Sequence, residues 1–120
     1  MDAKGSLDEL LRVSEEIRAA VIFERGGAVI GSNLADDEAR EVAGLGDAIL
    51  AYAATLRAVE VRQVRAVTPE GEVYVMRRGE RAVVAVALPG ALPGLVQHDL
   101  RTALAGTKRR RRKATASATA

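Results

Sequence analysis

Residues 36–59 read DDEAREVAGLGDAILAYAATLRAV, and the reading of this stretch decides how the rest of the chain is arranged. Asp36, Asp37 and Glu38 stand where a helix N-terminus favours negative charge. Beyond them Val42, Leu45, Ile49, Tyr52 and Leu56 recur at spacings of three and four, which makes one apolar stripe on a long helix. That stripe is expected to rest on the protein's own β-layer. The other side carries Arg40, Gly44, Asp47, Ala48, Ala51 and Thr55, with Ala43, Leu50 and Ala54 on its flank. A helix washed only by solvent would show more charge there. One that is apolar nearly all round is usually buried on two sides, and small residues let another backbone come close. The second side is therefore the expected contact face. The competing reading is a plain Ala-rich helix, small only because Ala is a good helix former.

Working outward, Ser6-Leu7-Asp8-Glu9 fits a capping box ahead of a short helix over Leu7–Val13. The segment from Ile17 to Glu24 is apolar on both faces at its centre, as an interior strand is. Arg25-Gly26-Gly27 is a hairpin turn signal, and Ala28–Ser32 is the return strand. After the long helix come Val61–Thr68, polar enough for a sheet edge, then Glu72–Arg77 and an Ala/Val-rich strand over Arg81–Leu88. A last helix is expected over Leu95–Ala105. The order α-β-β-α-β-β-β-α, with local hairpins, implies an α+β fold around an antiparallel sheet.

Composition narrows the chemistry. The chain has 120 residues, no Cys and one His, His98. Thiolate metal sites, disulfides, Cys nucleophiles and multi-His centres are excluded. The aromatic residues are Phe23, Tyr52 and Tyr74, too few for a base-stacking platform. The net charge of +2 hides a division. Residues 1–107 hold twelve basic and sixteen acidic side chains, a formal −4, and the rest is packed into Lys108, Arg109, Arg110, Arg111, Arg112 and Lys113. One domain over residues 1–106 and a disordered basic tail over 107–120 are expected. No apolar run approaches the roughly 20 residues of a membrane span, and the opening MDAKGSLDELL lacks the pattern of a signal peptide, so a cytoplasmic protein is expected.

The element order, LDELL at 7–11, AAVIFERGGAVIGSNL at 19–34, DDEAREVAGLGDAIL at 36–50 and LPGLVQHDLRTAL at 92–104 resemble a Roadblock/dynein light chain domain of the bacterial, gliding-motility kind. The similarity runs from about Leu7 to Leu104. It implies a profilin-like five-stranded sheet and a homodimer, or a heterodimer with another Roadblock chain, in which third strands pair and central helices meet. It also implies work on a Ras-like small GTPase, as a scaffold or by rearranging the GTPase's own catalytic residues.

On that basis the dimer interface is expected at Ala43, Leu50, Ala54, Arg62, Val64 and Ala66, and the partner platform at Arg40, Gly44, Asp47, Ala48, Ala51 and Thr55. Arg residues meeting across the two-fold would need Glu60, Glu70 or Glu72 nearby. The tail reads as a contact for anionic membrane, for nucleic acid phosphate or for an acidic patch on the partner, against a merely solubilising end.

Enzyme chemistry finds little footing, and neither catalytic residues, a metal nor a cofactor is expected. Asp36-Asp37-Glu38 fits helix capping more simply than a cation site. His98 and Asp99 point about 100° apart on a helix and do not face each other. There is no phosphate-binding GxxxxGK[ST] loop and no nucleophile elbow. Arg25, in the first hairpin turn, is the most projecting candidate for an arginine finger in trans.

Overall fold

A computed structural model describes residues 3–57 and 62–105. It contains α1 (Ala3–Val13), β1 (Ile17–Glu24), β2 (Ala28–Ser32), α2 (Asp36–Arg57), β3 (Gln63–Thr68), β4 (Gly71–Arg78) and β5 (Arg81–Ala87), followed by a helix over residues 93–105, α3. The strands form one antiparallel sheet in the order β2-β1-β5-β4-β3. The α+β class, the five strands and the element order agree with the sequence reading.

The two strands richest in apolar residues are central. Val21, Ile22 and Phe23 of β1 and Ala82, Val83, Val84 and Ala85 of β5 are buried, so both faces of the sheet need cover. On one face Leu7 and Leu10 of α1 and Val96, Leu100 and Leu104 of α3 pack with Ile22, Tyr74, Met76, Val83 and Ala85. On the other, α2 alone sets Ala39, Ala43 and Leu50 against Val21, Phe23, Val75 and Val84. One helix does not cover five strands, and Val64, Val73 and Val86 remain half-buried there.

Several boundaries move. Ser6 lies inside α1, buried, and its Oγ has no hydrogen-bond partner, so the expected capping box is not formed. The amphipathic pattern simply extends one turn further back than Leu7. Pro93 opens α3 two residues ahead of the expected Leu95, because proline suits a first turn whose N–H groups bond to nothing within the helix. The expected Val59 end of α2, the Val61 start of β3, and the tail with its boundary at 106 lie outside the described residues.

The largest correction concerns the long helix. The stripe expected to lie on the sheet does not. The residues against the sheet are Ala39, Ala43, Gly46 and Leu50, while Leu45, Ile49, Tyr52 and Leu56 are exposed and Val42 is half-buried. At 100° per residue the two rows lie about 120° apart on the helix. Close approach explains the choice. A Cβ placed on Gly46 would stand 2.4 Å from Val84 Cγ2 and 3.2 Å from the Phe23 ring, so the helix sits where only hydrogen fits. Gly27, in the β1–β2 turn at φ 97°, passes close to the same helix: a Cβ there would be 3.7 Å from Gly44 Cα.

Gly46 and Gly44 therefore separate packing from helix propensity. Gly44→Ala meets nothing within 4 Å and should stabilise by up to about 1 kcal/mol. Gly46→Ala should destabilise, because overpacking of about 1–3 kcal/mol exceeds the propensity gain. Urea unfolding of both variants measures the difference, and equal midpoints would contradict the packing described.

Candidate functional site

The sequence drew attention to the surface of α2 and to β3, and the structure sorts their residues into three groups. The first belongs to the subunit's own core. Ala43 and Leu50, expected at the dimer seam, are 0% and 3% exposed against the sheet. They are unavailable to a second chain because the small face of the helix packs inward. Ala54 and Val64 are half-buried.

The second group is structural. Asp47 was expected to meet a partner, but its Oδ1 accepts from Arg77 Nη2 at 2.7 Å and from the Gly26 amide at 3.3 Å. One carboxylate thereby ties α2 to β4 and to the β1–β2 turn. The Arg77 guanidinium, followed by the Gly26 amide, holds the Asp47 carboxyl below its ordinary range despite partial burial. Arg40 pairs with Asp37 one turn back, so Asp37 is engaged in an ion pair along the helix. Thr55 Oγ1 donates to the Tyr52 carbonyl at 2.6 Å.

The third group is open. Gly44, Ala48, Ala51 and Thr55 are exposed on one flank. On the opposite flank Leu45, Ile49, Tyr52 and Leu56 are 58%, 39%, 66% and 68% exposed, one row over three turns. Contiguous large apolar side chains on a surface mark an interaction site. Sequence reasoning saw this row and sent it to the core. The signal that distinguishes the two rows is the second one at the same spacing, Ala39, Ala43, Gly46 and Leu50, whose smallness fits a close helix–sheet approach.

β3 is an edge. It pairs with β4 from Gln63↔Met76 to Thr68↔Gly71, and among the described residues no strand pairs with its outer side. Arg62 and Ala66 are exposed. Arg65, exposed as well, donates from Nη2 and Nε to Glu72 Oε1 at 3.0 and 3.1 Å and from Nε to the Tyr74 hydroxyl at 3.2 Å. The Tyr74 hydroxyl donates to the same Glu72 oxygen at 2.6 Å, and the guanidinium lies 5.8 Å from the Tyr74 ring centre. Of the three carboxylates considered for the edge arginines, Glu72 is the one that serves Arg65. Glu70 is exposed, and Glu60 lies outside the described residues. The Tyr74 hydroxyl, then Arg65, holds the buried Glu72 carboxyl below its ordinary range, and burial with Glu72 beside it pushes the Tyr74 phenol up.

Among the described residues no three His, Asp or Glu side chains are placed to hold a metal. His98 is exposed. Arg25 Nε lies 3.4 Å from Glu80 Oε1 and its Nη2 3.5 Å from the Gly79 carbonyl, so it leans on the neighbouring hairpin. No described helix is long and apolar enough to cross a membrane.

A model of the Roadblock/LC7 domain matches residues 4–88. The chain belongs to the Roadblock/LC7 family. It is similar to a Roadblock/LC7 domain from Streptomyces avermitilis, at TM-score 0.81 and 17% identity over 92% of this chain and 98% of that one. The gliding protein MglB of Thermus thermophilus follows at TM-score 0.68 and 26% identity over 89% and 86%. Acanthamoeba castellanii profilin IA shares the fold at TM-score 0.62 and 13% identity over 88% and 97%. No curated protein sequence matches significantly. Within the Roadblock fold, the open row and the unpaired strand lie on α2 and β3.

Two outcomes test the networks. Asp47→Ala leaves Arg77 buried without its partner and should cost about 1–3 kcal/mol by urea unfolding. Glu72 and Asp47 both have folded pKa values below their unfolded ones, so their stabilisation is present above pH about 4.5 and is lost as pH falls through the folded values. The melting temperature should fall on acidification below that point, and less steeply in Glu72→Gln. An equal fall in wild type and variant would remove Glu72 from the account.

Proposed function

We propose that this Roadblock/LC7 chain is a non-catalytic homodimeric adaptor that binds and regulates a Ras-like small GTPase. The observation that carries the reading is the exposed row Leu45, Ile49, Tyr52 and Leu56 on α2, in a subunit whose β3 edge is unpaired.

Antiparallel pairing of β3 with its copy would be governed by a two-fold axis perpendicular to the sheet. Such an axis keeps both α2 helices on the same face of a joined ten-stranded sheet. The half-buried Val64 and Val73 then lie between them, and the two apolar rows have each other to cover. Arg65 does not oppose this, since its charge is held within its own subunit by Glu72. Each large side chain removed from water contributes on the order of 1–2 kcal/mol. The flank bearing Arg40, Gly44, Ala48, Ala51 and Thr55 stays outward on both helices. It offers a mostly small-residue platform for the GTPase, with Arg40 at one end. Regulation would come from surface contact, as the likeness to MglB, a gliding protein, suggests.

Light scattering should give twice 12.7 kDa for the wild type and a single-chain mass for Ile49→Asp/Tyr52→Asp, with the fold of the subunit retained. Immobilised wild type should retain a guanine-nucleotide-binding protein from lysate charged with a non-hydrolysable GTP analogue. Ala51→Glu should lose that protein while remaining dimeric. A monomeric wild type, or no nucleotide-binding protein retained, refutes the reading.

A further inference from the structure

A second site lies away from the α2 platform. The start of β3, the end of β4 and α3 enclose a cavity of about 510 Å³ lined by Arg62, Arg77, Arg78 and Arg101, with Met76 and Leu104 among its apolar atoms. Among the described residues none that lines it is acidic. The Arg77 guanidinium is buried and paired to Asp47 of α2, so the free charges of the cavity are those of its other arginines. Arg62, Arg78 and Arg101 are exposed at the rim, and none forms an ion pair among the described residues. Three exposed guanidinium groups around one cavity repel one another, and an anion would relieve that repulsion.

We propose that this cavity binds a phosphate ester carrying two or more negative charges. Guanidinium groups present planar forks that match phosphate oxygens bidentately, and here all the cations are arginines. The volume is that of a small-molecule site and exceeds what a single carboxylate fills. Met76 and Leu104 supply apolar wall for the carbon skeleton of an ester. Its concavity does not suit a duplex backbone, and none of its lining residues is an aromatic on which a base could stack. Two sources share this chemistry: a soluble polyphosphate or phosphate ester, and a phospholipid headgroup that carries a phosphomonoester.

Calorimetric titration of the full chain with inorganic tripolyphosphate at low salt tests the site. Saturable binding of one anion per chain is expected. Arg78→Glu and Arg101→Glu should each weaken it at least about tenfold, with unchanged melting temperatures because both side chains are exposed. Removal of residues 107–120 should weaken it less than either variant. Flotation with phosphatidylcholine vesicles containing phosphatidylinositol 4-phosphate, whose headgroup carries a phosphomonoester, separates the sources. Vesicle binding lost in Arg78→Glu and Arg101→Glu assigns the site to the lipid headgroup; vesicle binding indifferent to them, with tripolyphosphate binding lost, assigns it to the soluble ligand. Absence of saturable tripolyphosphate binding overturns the proposal. So does binding that disappears with the tail and ignores Arg78 and Arg101.

Discussion

The seating of α2 on the sheet governs both the core and the surface of this protein. Gly46 lies over Val84 and the Phe23 ring at a distance that admits no methyl group. Asp47, one residue on, is held by Arg77 of β4 and by the Gly26 amide of the first hairpin. Together the two residues set the depth and the rotation of the helix. Rotation is the decisive quantity, because a helix with two apolar rows has two ways to lie on a sheet. With Ala39, Ala43, Gly46 and Leu50 facing inward, Leu45, Ile49, Tyr52 and Leu56 are left in water. The surface that the protein offers is thus a consequence of how its core closes.

The opposite end of β3 is secured by a different device. The Arg65, Glu72 and Tyr74 network anchors the edge strand to β4 by side chains as well as by the backbone ladder. A strand paired on one side only among the described residues, with its arginine engaged by its own subunit, has outer backbone groups for another strand. A charge on an edge strand commonly guards against such pairing, but here Glu72 neutralises it within the subunit. Arg77 likewise touches two regions: its guanidinium is paired to Asp47 of α2, and the residue borders the cavity beside α3. Apolar contact on α2 and cationic chemistry beside α3 therefore meet at one strand, β4.

Much of the candidate site was legible in residues 36–57, and the reason it was misassigned is instructive. Periodicity registers side-chain size, and the largest stripe is the natural choice for a core. A helix that approaches a sheet of Val and Phe closely needs small residues on its inner face, which reverses that choice. Asp47 was legible as an unusual charge on the small side. Its role in holding the fold depends on Arg77, thirty residues away, and on the Gly26 amide, neither of which local pattern reaches. The cationic cavity was not anticipated at all, since Arg62, Arg78 and Arg101 are brought together only by the β3–β4 pairing and by α3.

The amino-acid sequence by itself determined the element types and their order, the central position of β1 and β5, the edge character of β3 and the Roadblock resemblance. These follow from local quantities: alternation, helical spacing, glycine turns and the polarity of each segment. Only the tertiary structure decided which face of α2 is buried, that Ser6 is inside a helix rather than capping one, that Arg65 is neutralised by Glu72, and that four arginines share a cavity. Those outcomes depend on contacts between residues distant in the chain. Sub-ångström clearance and the pairing of single charges select among arrangements that hydrophobic pattern alone leaves equivalent.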